Sequence, residues 1–440
     1  MGRRETKESA GGGIDAAADD DWGAPQRLRA SRLDRESRLF LKAIGSFVGR
    51  PVGREQVDAA RRRWRLIATA YGRRPPVASI TTRHVNGPAG PIELRLYTPA
   101  GGPARKPGFL WCHGGGFIVG DLDANDAICR SIARESGAVV VAVRYRLAPE
   151  HDLYASREDF LAALAWVAQH GESVGIDTGR MAIGGDSAGG NISAAVAQEN
   201  LRRGGPALRL QVLVYPSTRL FAPWPSLGEN ASGHFLTTEF IQSLQPLIAK
   251  DVDLADPLLS PGLARDLRGL PPALVITAGF DPIRDDGLAY CRQLRAAGVP
   301  VELLHYGGQF HGFLNFDSVI GAARDALSRI GRSLAGAFDG AAGADRTLEI
   351  EDEAPTLLPV SRHLARDALV GGFLASRSAR QFGSAAARWM APGLATATAT
   401  MLRPWWVPVA MVRRATLSRL CAVAARQTFA RPPTTTLEIR

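Results

Sequence analysis

The arrangement of apolar and polar positions changes character along the chain. From Leu33 onward, Leu39, Phe40, Ile44 and Phe47, then Val57, Trp64, Ile67 and Ala68, recur at helical spacing among charges. This predicts two amphipathic helices broken around Gly49 to Gly53. After Pro75 and Pro76 come short β-rich runs: Ile92 to Tyr97, Pro107 to Cys112, Ala138 to Val143, Arg180 to Gly184, Leu210 to Tyr215, Ala273 to Thr277 and Val301 to Tyr306. Helical stretches separate most of them, among them Ala124 to Glu135, Ser156 to His170, Asn191 to Arg203 and Asp286 to Ala297. Such alternation predicts an α/β fold, a mainly parallel central sheet flanked by helices on both faces. It is interrupted once, from about Ser217 to Asp256, where prolines, Trp224 and a helical stretch near Thr238 to Lys250 separate two strands. An insertion at that place is expected to stand over the sheet as a helical cap.

The two ends differ from this middle. Residues 1–28 are rich in Gly, Ala and Asp and read as a disordered leader. No apolar stretch of about 7 to 15 residues follows the first arginines, so no signal peptide is expected, and no run reaches ~18 apolar residues. A cytoplasmic chain is the expectation. Residues 339–360 read as an acidic linker containing Glu349, Glu351, Asp352 and Glu353, followed by a basic, Ala- and Arg-rich helical extension over 361–440. That extension holds twelve arginines against Asp367 and Glu438, which equals the net charge of +10 carried by the whole chain of 440 residues. Residues 1–360 are therefore formally neutral, and the basic balance implies no nucleic-acid partner for the main domain. Around Trp405 and Trp406 the extension suits a membrane-surface or polyanion-binding arm, with peripheral contact to an anionic membrane, or equally a helix that packs on its own domain or stays solvated. Cys112, Cys129, Cys291 and Cys421 lack the spacing of a zinc site or a disulfide scaffold and read as small core residues.

Chemistry concentrates in four places. Gly185-Asp186-Ser187-Ala188-Gly189 follows the apolar run Met181 to Ile183 and opens a helical segment, the strand, tight turn and helix in which a serine projects as a nucleophile. His113-Gly114-Gly115-Gly116-Phe117 follows another strand, and its glycines leave backbone N–H groups to bind an oxyanion. Gly115, Gly116 and Ala188 are the natural donors, with His113 structural. Asp281 and His311 each follow a late strand. A serine hydroxyl needs a base, and the base needs a carboxylate to hold its tautomer, so Ser187, Asp281 and His311 supply the three roles in the order of α/β-hydrolases. The plain alternatives are Asp281 as a helix N-cap and His311 as an exposed loop residue, with Asp285 and Asp286 as neighbouring acids. His170, His234 and His305 show no metal-ligand spacing, so no metal or cofactor is expected.

With these motifs in place, residues from about 75 to 338 resemble the bacterial hormone-sensitive-lipase family of α/β-hydrolase carboxylesterases. The resemblance rests on His113 to Phe117, Gly185 to Asn191, Tyr145 to His151, Asp281 to Asp285 and His311 to Phe313. It implies the triad Ser187, Asp281 and His311, the oxyanion donors Gly115, Gly116 and Ala188, and a cap built from residues 29–74 and 217–256. It also implies hydrolysis of short- to medium-chain acyl esters without a cofactor. The chain departs from the family pattern at Arg144, usually Asp, and at Asp152-Leu153-Tyr154, usually a Pro-rich turn. The family does not account for the last hundred residues.

Phe117, Phe235, Leu236 and Phe313 are the candidates to bind substrate, with Phe221 and Trp224 as further apolar residues for the pocket or lid, and all of them read equally as cap core. The same triad can also cleave an amide. A non-catalytic small-molecule binding protein on the same fold is the alternative from another class. The sequence gives no oligomeric state.

Overall fold

A computed structural model describes residues 22–44 and 51–351. They lie in one contact unit, Met1–Leu364, while the second unit, Ala365–Arg440, falls outside them. The expectations for residues 361–440, including Trp405, Trp406 and Cys421, also lie outside the described residues.

Among the described residues nine strands form a single sheet: β1 Ser79–Gly87, β2 Gly90–Thr98, β3 Lys106–Cys112, β4 Val139–Arg144, β5 Ile176–Asp186, β6 Leu208–Val214, β7 Ala273–Phe280, β8 Val301–Phe310 and β9 Arg346–Ile350. Their spatial order is β1-β2-β4-β3-β5-β6-β7-β8-β9. β1 and β2 form an antiparallel hairpin, β2 runs antiparallel to β4, and every later pairing is parallel. β7 is buried at every position and β4 at all but its last, so both faces of the middle of the sheet are covered.

The crossovers are α3 Asp126–Ser136, α4 Leu153–His170, α5 Ala188–Arg202, α8 Arg284–Ala296 and α9 Gly321–Phe338; α3 packs on α9, and α4 on α5. The N-terminal helices are α1 Arg35–Ile44 and α2 Val57–Tyr71, and the insertion after β6 carries α6 Pro225–Glu229 and α7 Thr238–Ile248. α1 is seated by Phe40, whose ring lies 4.5 Å from Phe316 and 5.1 Å from Tyr71. Arg61 of α2 donates to the carbonyls of Ile118 and Ala148 and pairs with Glu150, tying the second helix to the loops at the strand ends. Among the described residues no helix is long and apolar enough to cross a membrane.

Three segments differ from the sequence reading. Residues 346–350, read as part of an acidic linker, form β9 beside β8; the strand is short and carries Arg346 and Glu349, so its charges hide the pairing. Residues 22–28, read as part of a leader, are held in place: Glu349 accepts the N–H groups of Gln26 and Arg27, Arg295 donates to the Trp22 carbonyl at 2.7 Å, and Trp22 packs against the core. β1 escaped the pattern because all but two of its residues are partly or fully exposed polar, glycine or edge positions, the dress of an edge strand. Of the departures from the family pattern, Arg144 pairs with Glu93 on the neighbouring strand, and Asp152 caps α4 by accepting the Ala155 N–H.

Candidate active site

The loops after β3, β5, β7 and β8 meet at one end of the sheet. β5 ends in Asp186, and the chain turns through Ser187 into α5 with φ 57° and ψ −118°, a conformation that side chains rarely adopt. The turn is possible because nothing larger than hydrogen occupies its flanks: a Cβ at Gly185 or Gly189 would lie 2.3 or 2.0 Å from the Cys112 carbonyl oxygen. The Ser187 N–H donates to Val214 O at 2.8 Å, which pins the turn to β6.

His311 follows β8, and its Nε2 lies 2.9 Å from Ser187 Oγ while its Nδ1 lies 2.8 Å from Asp281 Oδ2. A carboxylate oxygen accepts, so Nδ1 carries the proton and Nε2 is left to accept from the serine hydroxyl. Asp281 is fully buried, and its other oxygen accepts the Ile283 N–H at 2.9 Å. The same residue thus caps the turn before α8 and orients His311. Tyr215 backs the imidazole at a centroid distance of 4.7 Å. Asp285 and Asp286 face elsewhere: Asp285 meets Arg284 and the Ser226 N–H, and Asp286 takes the Thr218 hydroxyl.

Gly115 and Gly116 line the cavity in front of Ser187, as does Ala188. Among the described residues no hydrogen bond engages the N–H of Gly115 or Gly116, and Ala188 opens α5, where the first N–H groups have no helical partner. The glycine loop is anchored beneath by Asp186, whose Oδ1 accepts the Gly114 N–H at 2.8 Å. Burial pushes the Asp186 carboxyl up to about 6, against the opposing pull of that N–H. His113 is structural: it is buried beneath the loop, stacked on Tyr145, whose hydroxyl donates to the His113 carbonyl at 2.7 Å. Burial lowers its pKa, which keeps the ring neutral.

The cavity above these groups is mostly apolar. Phe117, Phe235 and Leu236 line it, with Phe221 and Trp224. Phe313 does not: it is fully buried between Tyr215 and Tyr306, at 6.0 and 5.2 Å, because the backbone after His311 turns back into the core. Much of the wall was missed from sequence: Trp64 and Ile67 of α2, and Leu244 and Ile248 of α7. Their helical spacing was visible, but which side of each stripe faces the site is a tertiary matter. Arg157 was missed too. It is buried in α4 and joins Leu153 O, Leu258 O and Asn191 Oδ1, so it locks α4 to α5 behind the nucleophile, yet in sequence it is one more arginine on a helix.

A family model described as alpha/beta hydrolase fold matches residues 109–315. Esterase LipI of Mycobacterium tuberculosis is 42% identical over 297 residues, which cover 66% of this chain and 92% of that protein. The chain belongs to the hormone-sensitive-lipase-like family of α/β-hydrolases. Carboxylic ester hydrolase LipN of the same organism is 43% identical to this hydrolase over 294 residues, 63% of the chain and 78% of LipN. An esterase structure from Pyrobaculum calidifontis superposes with a TM-score of 0.64 at 36% identity, covering 69% of the chain and 98% of that protein. The hydrolase is a carboxylic ester hydrolase, and the alternative of a non-catalytic binding protein gives way to that.

Proposed function

We propose that the hydrolase cleaves short- to medium-chain acyl esters through a covalent acyl-enzyme on Ser187. The observation that carries this reading is the unbroken path from Asp281 to His311 to Ser187, at 2.8 and 2.9 Å, on the floor of an apolar cavity. His311 Nε2 takes the hydroxyl proton as Ser187 Oγ attacks the carbonyl carbon, and Asp281 stabilises the imidazolium. The negative charge on the carbonyl oxygen falls to the N–H groups of Gly115, Gly116 and Ala188. His311 then returns the proton to the departing alcohol, and water activated by the same base releases the acid. No step calls for a metal or cofactor.

Aromatic and aliphatic side chains from α2, α7 and the insertion give the acyl chain its surface, with Phe117, Phe235 and Leu236 in the wall. A cap of this modest size favours small esters over long-chain triglycerides. The test is hydrolysis of p-nitrophenyl esters from acetate to palmitate by the full chain and by Ser187→Ala. Turnover should fall at least about a thousandfold in the variant, and equal activity in both would dismiss Ser187. Cytoplasmic location with peripheral contact to anionic membrane through residues 361–440 completes the proposal, on sequence grounds alone. Pelleting with anionic vesicles that is the same with and without residues 352–440 would remove the membrane part.

A further inference from the structure

Resting on that reading and extending it to substrate class, we infer that Arg219 makes this site selective for esters that carry a carboxylate. Arg219 stands where the insertion leaves β6 and is one of the residues lining the cavity. Its backbone N–H is held by both oxygens of Asp286 at 3.1 Å, and its guanidinium lies 5.4 Å from the Trp224 ring centroid. Among the described residues that ring is the only contact given to the guanidinium at close range. Its Nε is buried with no hydrogen bond among the described residues. Asp286 attracts the charge at a distance, but its carboxylate is engaged by the Thr218 hydroxyl and the Arg219 backbone. Among the described residues of the cavity wall Asp186 is the one acid, and it is engaged by the Gly114 N–H.

Other shielded arginines of the hydrolase are provided for. Arg157 has Asn191 and several carbonyls, Arg146 has Asp159, and Arg284 has Glu229 and Asp285. A guanidinium cannot shed its charge, and a charge facing an apolar cavity is costly unless paired. Its planar fork of donors matches a carboxylate, and the ester that brings one supplies the missing partner. The carboxylate is a spectator to the cleavage. It can sit at the far end of the acyl chain or on the leaving alcohol, and both placements present the same chemistry to Arg219.

Two matched pairs separate these placements: p-nitrophenyl hemiglutarate against p-nitrophenyl 5-methylhexanoate, and 4-acetoxybenzoate against 4-acetoxybenzamide. For each pair the ratio of kcat/KM, charged over neutral, is measured for the full chain, for Arg219→Gln and for Arg219→Lys. In one pair the ratio should fall about ten- to a hundredfold in Arg219→Gln and stay within about threefold of the parent in Arg219→Lys. The pair that responds assigns the carboxylate to the acyl or the alcohol half. Ratios unchanged in both pairs for Arg219→Gln overturn the inference, and so does an equal fall in both variants, which would mean shape and not charge. Hydrolysis of the neutral esters that is lost in Ser187→Ala tests the underlying mechanism separately, so a failure of selectivity with turnover intact sinks this inference alone.

Discussion

The loops at the strand ends and the cap above them build the two halves of one cavity by different means. Below, the candidate groups are held by directed bonds: Ser187 through its N–H to Val214, His311 through Asp281, and the glycine loop through the Gly114 N–H to Asp186. Above, the wall is made by contact, as where Trp64 of α2 meets Phe235 of the insertion at 5.6 Å. Directed bonds tolerate little displacement, since proton transfer needs heavy atoms within about 3 Å. Apolar packing accepts any filling of the right volume. Chemistry and substrate size should therefore respond to separate sets of substitutions.

The sharpest way to break this division is Asp281→Asn, which leaves the shape but no longer requires the His311 proton on Nδ1. Turnover should drop by about ten thousandfold with KM little changed, and a fall of less than about tenfold would mean that orientation of His311 comes from packing after all. Gly115→Ala should cost about two to three powers of ten in kcat, because its φ is +129° and a Cβ would meet the Val119 carbonyl oxygen at 2.1 Å, displacing the oxyanion loop. On the other side, Trp64→Ala should move the preferred p-nitrophenyl ester to longer chains and change kcat on the best substrate by less than about tenfold. A large kcat loss with the chain-length preference unmoved would erase the distinction.

Asp286, at the junction of the two halves, sharpens the comparison with the smallest effect. Burial pushes its carboxyl up to about 7 from 3.8, so the unfolded chain gives up this proton at lower pH than the native one. Its contribution to stability is therefore greatest in acid and declines as pH rises from about 4 through about 7. Relative to Asp286→Asn, the parent should lose melting temperature steadily over that window. A difference that is flat or grows with pH would contradict the burial argument.

Legibility from sequence follows the same division. A serine turned out of a strand needs glycine at 185 and 189, and a histidine base needs an acid, so residue type and order along the chain were enough to single out Ser187, Asp281 and His311 as candidates. The parallel core strands were legible because burial on both faces demands continuous apolar runs. Phe313 misled because an aromatic two residues from His311 looks the same whether it faces substrate or core. Arg219 drew no notice, since a single arginine in an insertion gives no sign of what surrounds it. β9 and β1 stayed hidden because strands at the rim of a sheet carry the polarity of loops.

Those rims bear on how the protein should be handled. The segment matched by the family model stops at residue 315, before β9, and β9 with its Glu349 clasp on residues 26 and 27 covers the outer side of β8. A protein ended after α9, at Phe338, would present β8 with a row of unpaired amides on an apolar strand, a template for recruiting further copies. Precipitation of such a trimmed version would then report a lost selvedge, the charged border that keeps one sheet from being knitted to the next, and would say nothing against the chemistry of the site.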